Sequence, residues 1–227
     1  MWIGRPGRRW PARPGVEQFG MDTRQKYLAA ATTFADLAER ISDEPWDGAG
    51  LGIWTLRELV GHTVSGGLQE VLDALDRVTD TVAIPSPERY YALARTVDPA
   101  VYDAAVTASA HAARRTGQSL GTDPAGTIRH LVEAVEHRLG GIAPTTVVTT
   151  VAGGMPIDAW LPTRTFELAT HSLDIAAATD VPAQIPDDVL AEALVLAARI
   201  AVVVGDGASV LRALTGRATL PDGFSVV

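Results

Sequence analysis

From Asp22 onward, apolar residues recur every three or four positions, the period of a helix with one buried face. Tyr27, Ala31, Phe34, Leu37 and Ile41 form the first such stripe, and Asp22 with Gln25 has the form of a capping box that opens it. A loop containing Pro45, Trp46, Gly48, Gly50 and Gly52 follows. Thr55 with Glu58 forms a second capping box and predicts a long helix to about Val78, with Leu56, Leu59, Val60, Thr63, Val64, Leu68, Val71, Leu72 and Leu75 as its apolar stripe. Asp98-Pro99 and Asp123-Pro124 each pair a capping Asp with Pro at the first helical position, so a helix starts at each. Thr145 to Val151 is β-branched, meets Gly153-Gly154, and continues extended to Leu161, which predicts a hairpin. Pro162 can then open a helix to about Thr179, and Pro186-Asp187 another through Val204. A short helix ends near Thr215-Gly216, and Leu220–Val227 is expected to be extended. These elements imply a mainly α protein: an up-and-down four-helix bundle with a small β-hairpin insertion and extra C-terminal helices.

Residues 1–20 differ from the rest. Pro, Gly and Arg dominate the first fifteen positions, a composition that sustains neither helix nor central strand. They are expected to be a disordered basic tail before a domain over 21–227, with Met21 an alternative start of translation. The chain carries a net charge of -8, although the tail holds Arg5, Arg8, Arg9 and Arg13 against Glu17 alone. So acidic a domain argues against a nucleic-acid partner, because phosphate binding needs clustered cations. The most apolar run, Leu190 to Gly205, contains Glu192 and Arg199 and is too short and too charged for a membrane span. No secretory signal pattern follows the basic start, so a cytoplasmic protein is expected. With no Cys, the chain offers neither a thiolate ligand nor a thiol nucleophile of its own.

The chemistry concentrates on three residues. Glu167 and His171 are four apart in a helical stretch and project from one face. His62 lies in the body of the second helix, beside its apolar stripe. If those helices face each other, His62, Glu167 and His171 form a two-histidine, one-carboxylate set, an accepted set of ligands for a catalytic divalent metal. Asp174 lies three residues past His171 and can orient a ligand histidine, while Arg164 can pair with Glu167 at i,i+3. His130 and His137 are expected on a hydrated outer face, with Glu133 and Glu136 nearby, and His111 stands alone in an Ala-rich helix. No phosphate loop, nucleophile elbow or HExxH segment occurs.

Trp54-Thr55-Leu56-Arg57-Glu58-Leu59-Val60-Gly61-His62 resembles a W-T-V-R-D-L-V-A-H segment of the mycothiol-dependent maleylpyruvate isomerase family, within the DinB-like superfamily. Arg164-x-x-Glu167-x-x-x-His171-x-x-Asp174 resembles the R-x-x-E-x-x-x-H-x-x-D segment of the same family. Ala213 to Phe224 is similar to the tail of its actinobacterial members, so the resemblance covers about residues 21–227. It implies a DinB-like four-helix bundle with a divalent metal on His62, Glu167 and His171, zinc first, with nickel or another first-row ion as alternatives. The open position would take water or a low-molecular-weight thiol such as mycothiol.

An ion there would hold a thiol as thiolate at neutral pH, for attack on a small-molecule electrophile. The reaction would isomerise a double bond by reversible addition, or transfer the sulfur permanently. The expected function is thus an S-transferase or isomerase-like enzyme, monomeric or homodimeric; the alternative is a metal-stabilised small-molecule-binding protein without turnover. Gly61 and Thr63 depart from the family pattern beside His62, and Gly66-Gly67 loosens the helix just after it, at about 1 kcal/mol per Gly relative to Ala. The chain also keeps only a short C-terminal region compared with the full isomerase.

Overall fold

A computed structural model describes residues 20–41 and 44–227. The tail expected over 1–20 therefore lies, apart from Gly20, outside the described residues. Helix α1 (Thr23–Arg40) starts from the Asp22–Gln25 capping box, and α2 (Leu56–Val64) from the Thr55–Glu58 box. A single π turn (Ser65–Gln69) joins α2 to α3 (Glu70–Leu75). Then come α4 (Pro87–Ala92), α5 (Pro99–Ser119) and α6 (Pro124–Gly140). Strands β1 (Val147–Thr150) and β2 (Gly153–Pro156) precede α7 (Ile157–Thr179), α8 (Asp187–Val203) and α9 (Gly207–Leu214). Asp98 and Asp123 cap α5 and α6 as expected, accepting from the amides of Ala100 and Gly126.

The architecture is a mainly helical DinB-like fold. Helix α1 packs on α6 and α7, α2 on α7, and α3 on α6; α5 crosses the outside of α2. Tyr27, Phe34, Leu37, Leu59, Leu68, Ile128, Leu139 and Trp160 fill the shared core. Helix α8 covers α1, α4 and α7 with Val189, Ala193, Leu196 and Ile200. The hairpin pairs Val147 with Pro156 through Thr150 with Gly153.

Four expectations change. The second helix stops at Leu75 rather than near Val78, because Arg77 and Thr79 hydrogen-bond to β1 instead. Residues 157–161 begin α7 rather than ending the hairpin, so Pro162 lies inside that helix. The buried residues Ile157, Trp160 and Leu161 gain more from the helix packing on α1 than the missing Pro162 amide costs. Residues 220–227 form no strand and carry a turn. Helix α4, absent from the sequence reading, packs against α7 and α8.

Gly61, Gly67 and Gly117 sit where helices approach closely. A Cβ on Gly61 would meet the Ala113 carbonyl oxygen, and one on Gly117 would sit 2.5 Å from the Arg57 carbonyl oxygen. Helices α2 and α5 therefore cross at backbone contact, one residue from His62. A Cβ on Gly67 would lie 2.6 Å from Leu168. The π turn around Gly66 and Gly67 leaves both carbonyls for side chains: Arg164 donates to Gly66 at 3.0 Å and Tyr27 to Gly67 at 2.7 Å.

Candidate metal centre

Helices α2 and α7 meet along the core, which brings His62 to Glu167 and His171 across about a hundred residues of chain. One donor atom from each lies within 4.8 Å of the other two. The Glu167 Oε2 to His171 Nε2 distance is 3.3 Å. Ligands about 2.1 Å from an ion in tetrahedral geometry are about 3.4 Å apart, so this edge already fits. The widest separation closes with a shift of up to about 1.4 Å, shared between two side chains. The rings of His62 and His171 stand edge to face, 4.7 Å between centroids, and the Trp54 ring lies 4.8 Å from that of His62, tilted by 50°.

Each histidine has a neighbour for its remote nitrogen. His171 Nδ1 lies 2.9 Å from Asp174 Oδ2, as the i,i+3 spacing anticipates, leaving Nε2 towards Glu167. His62 Nδ1 lies 3.4 Å from Ser109 Oγ on α5. Ser109 is a site neighbour the sequence reading missed, since a lone Ser in an Ala-rich helix carries no signal.

The electrostatics suit a cation. Burial, then the charge of His171, lowers the pKa of His62 to about 4, so its imidazole is neutral with a free lone pair. Burial also opposes the charges of the other two, but neighbours outweigh it. Hydrogen bonds to Asp174 and Glu167 raise His171 to about 9, and the His171 bond with the Arg164 charge brings Glu167 to about 2. At neutral pH the ion-free site thus holds an imidazolium between two carboxylates, where a metal would replace the proton.

Arg164 does not make the expected i,i+3 pair with Glu167. Buried at 3% exposure, it turns to Glu70 Oε2 at 3.0 Å and to the Gly66 carbonyl, because the π turn presents both acceptors. Its guanidinium also lies over the rings of Tyr90 and Trp160, 5.3 Å from each. Tyr91 of α4 was equally unforeseen; its hydroxyl donates to Glu167 Oε1 at 2.8 Å. The other histidines stay apart from this cluster: His111, His130 and His137 are exposed, and His130 pairs at 3.5 Å with Glu133.

A family profile described as the mycothiol maleylpyruvate isomerase N-terminal domain matches residues 27–176. The chain belongs to that family. The matched stretch of the mycothiol maleylpyruvate isomerase N-terminal domain contains His62, Tyr91, Ser109, Arg164, Glu167, His171 and Asp174, and ends before α8. No curated protein and no solved structure matches the chain. Among the described residues, no helix is long and apolar enough to cross a membrane.

Proposed function

We propose that the protein is a cytoplasmic enzyme that binds one divalent metal, zinc first, and uses it to activate a low-molecular-weight thiol of the mycothiol type against a small electrophile. The observation that carries this reading is the convergence of one carboxylate and two imidazole donors within 4.8 Å from two facing helices. The donor set suits a borderline ion such as zinc, with room for one further ligand.

When bound, such an ion would lower the pKa of a thiol beside it, so that the sulfur is nucleophilic at neutral pH. The protein's residues supply the rest. Neutral His62 and ionised Glu167 present lone pairs without losing a proton, while His171 would have to release one from Nε2 to serve as a ligand. Asp174 holds the His171 ring through Nδ1 and keeps Nε2 directed inward. The Trp54 ring packs beside His62, tilted 50° to it. Without a cysteine, the chain must take its sulfur from a co-substrate, which agrees with the family's mycothiol.

Metal analysis of untagged protein tests the first half, with about one ion per chain expected and loss of that ion in His62→Ala. Protein without stoichiometric metal, unchanged by the substitution, overturns the reading. Consumption of maleylpyruvate or another activated alkene in the presence of mycothiol tests the second half. Metal-loaded protein inert with mycothiol, bacillithiol and glutathione would mark a binding protein without turnover.

A further inference from the structure

The two oxygens of Glu167 have different neighbours. Oε2 faces His171 Nε2 at 3.3 Å, while Oε1 accepts from the Tyr91 hydroxyl at 2.8 Å. The same hydroxyl lies 3.1 Å from the Thr163 carbonyl, one turn back on α7, which fixes its position along the helix. The Tyr91 ring is wedged edge-on between Tyr90 and Phe166, at 5.4 and 5.5 Å between centroids. It therefore cannot follow Glu167 if the carboxylate turns. A phenol donating to a carboxylate makes a charge-assisted bond, stronger than one between neutral groups.

We infer that Tyr91 is a positioning residue that holds Glu167 to one ligating oxygen and so keeps a coordination position open for the substrate sulfur. The inference rests on the metal-binding reading above. Two imidazoles and one oxygen give three protein ligands, the number found in zinc sites that do chemistry. Two imidazoles and both carboxylate oxygens give four, the closed count of structural sites. Glu167 can chelate through both oxygens only by turning Oε1 away from Tyr91. Nothing else in the structure hydrogen-bonds Oε1 among the described residues, so the choice between an open and a closed site falls to this one hydroxyl. If Tyr91 instead served only to pack α4 on α7, a phenylalanine would replace it without effect on the metal.

Tyr91→Phe keeps the ring contacts and removes the hydroxyl, and Co2+ in place of zinc makes the coordination visible. The wild-type protein is expected to show the intense visible bands of four-coordinate cobalt and a sulfur-to-cobalt charge-transfer band on adding 2-mercaptoethanol. In the variant both carboxylate oxygens and the two imidazoles would fill the four positions, so the visible bands should shift in wavelength and the thiol charge-transfer band should be lost. Identical spectra and thiol response in wild type and variant would overturn the inference while leaving the metal reading intact. Wild-type protein that binds no cobalt would overturn both. Should the variant not fold, infrared difference spectra of wild-type protein with and without zinc decide the point. A widely split carboxylate pair is the one-oxygen signature, and a narrow splitting refutes it.

Discussion

At the residue scale, the two histidines are driven in opposite directions by the same burial. At His62 burial and the cationic His171 ring outweigh the pull of Glu167, so its proton is lost, whereas His171 is flanked by Asp174 and Glu167 and keeps its own. These shifts predict how the metal-free protein responds to pH. His171 has a folded pKa of about 9 against 6.5 unfolded, so its contribution is complete below about pH 6.5 and lost as pH rises through 9. His62, lowered to about 4, contributes above pH 6.5 and loses that contribution as pH falls towards 4. Thermal melts of metal-free protein should therefore show a fall in stability between pH 6.5 and 9, worth up to about 3 kcal/mol. His171→Asn should remove this fall. A slope over that range unchanged by the substitution would mean that the imidazolium is not held by its two carboxylates.

At the scale of elements, end signals were easy to read and close approaches were not. The boxes at Asp22–Gln25 and Thr55–Glu58 announce helix starts because side chain and backbone satisfy each other within four residues. The Glu167–His171–Asp174 face was legible for the same reason: one helix sets its spacing. Tyr91 was not, because α4 is six residues long with no apolar period, and its partner lies 76 residues away. Pro162 misled because proline usually starts a helix, whereas here the burial of Ile157, Trp160 and Leu161 carries α7 back past it. Gly61 reads in sequence as a departure from the family pattern and Gly66-Gly67 as loosened helix, yet the neighbouring helices give Gly61 and Gly66 different costs. Gly61→Ala would push a methyl group into the α5 backbone and should cost about 1–3 kcal/mol. Gly66→Ala meets only Arg164 Nη1 at 3.8 Å and should stay within about 0.5 kcal/mol of wild type. Equal losses in denaturant melts of the two variants would refute the tight α2–α5 crossing.

Across the whole molecule, the candidate centre ties together parts of the chain that the fold already packs, so an ion bound there would act as a stability ligand. The matched family region ends at residue 176, but the structural unit does not. Helix α8 buries Val189, Ala193, Leu196 and Ile200 in the bundle core, and its Asp188 accepts from the backbone amides of Gly20 and Met21, which bind the start of α1 to it. His62 and Glu167 come from helices about a hundred residues apart in the chain, so their ligand geometry exists only when α2 and α7 are packed. An ion that binds the folded chain and not the unfolded one adds about 2.7 kcal/mol at a concentration a hundred times its Kd. For a chain of this length that is a rise in Tm of roughly 5–10 °C. The rise should saturate at one zinc per chain and vanish in His62→Ala. In Asp174→Asn the titration should move to about 10–100-fold higher zinc, because the His171 ring loses its anionic partner while all three ligands remain. Differential scanning calorimetry against buffered free zinc distinguishes these outcomes. A stabilisation that survives in His62→Ala would place the ion on another part of the surface and separate metal binding from the contact between α2 and α7.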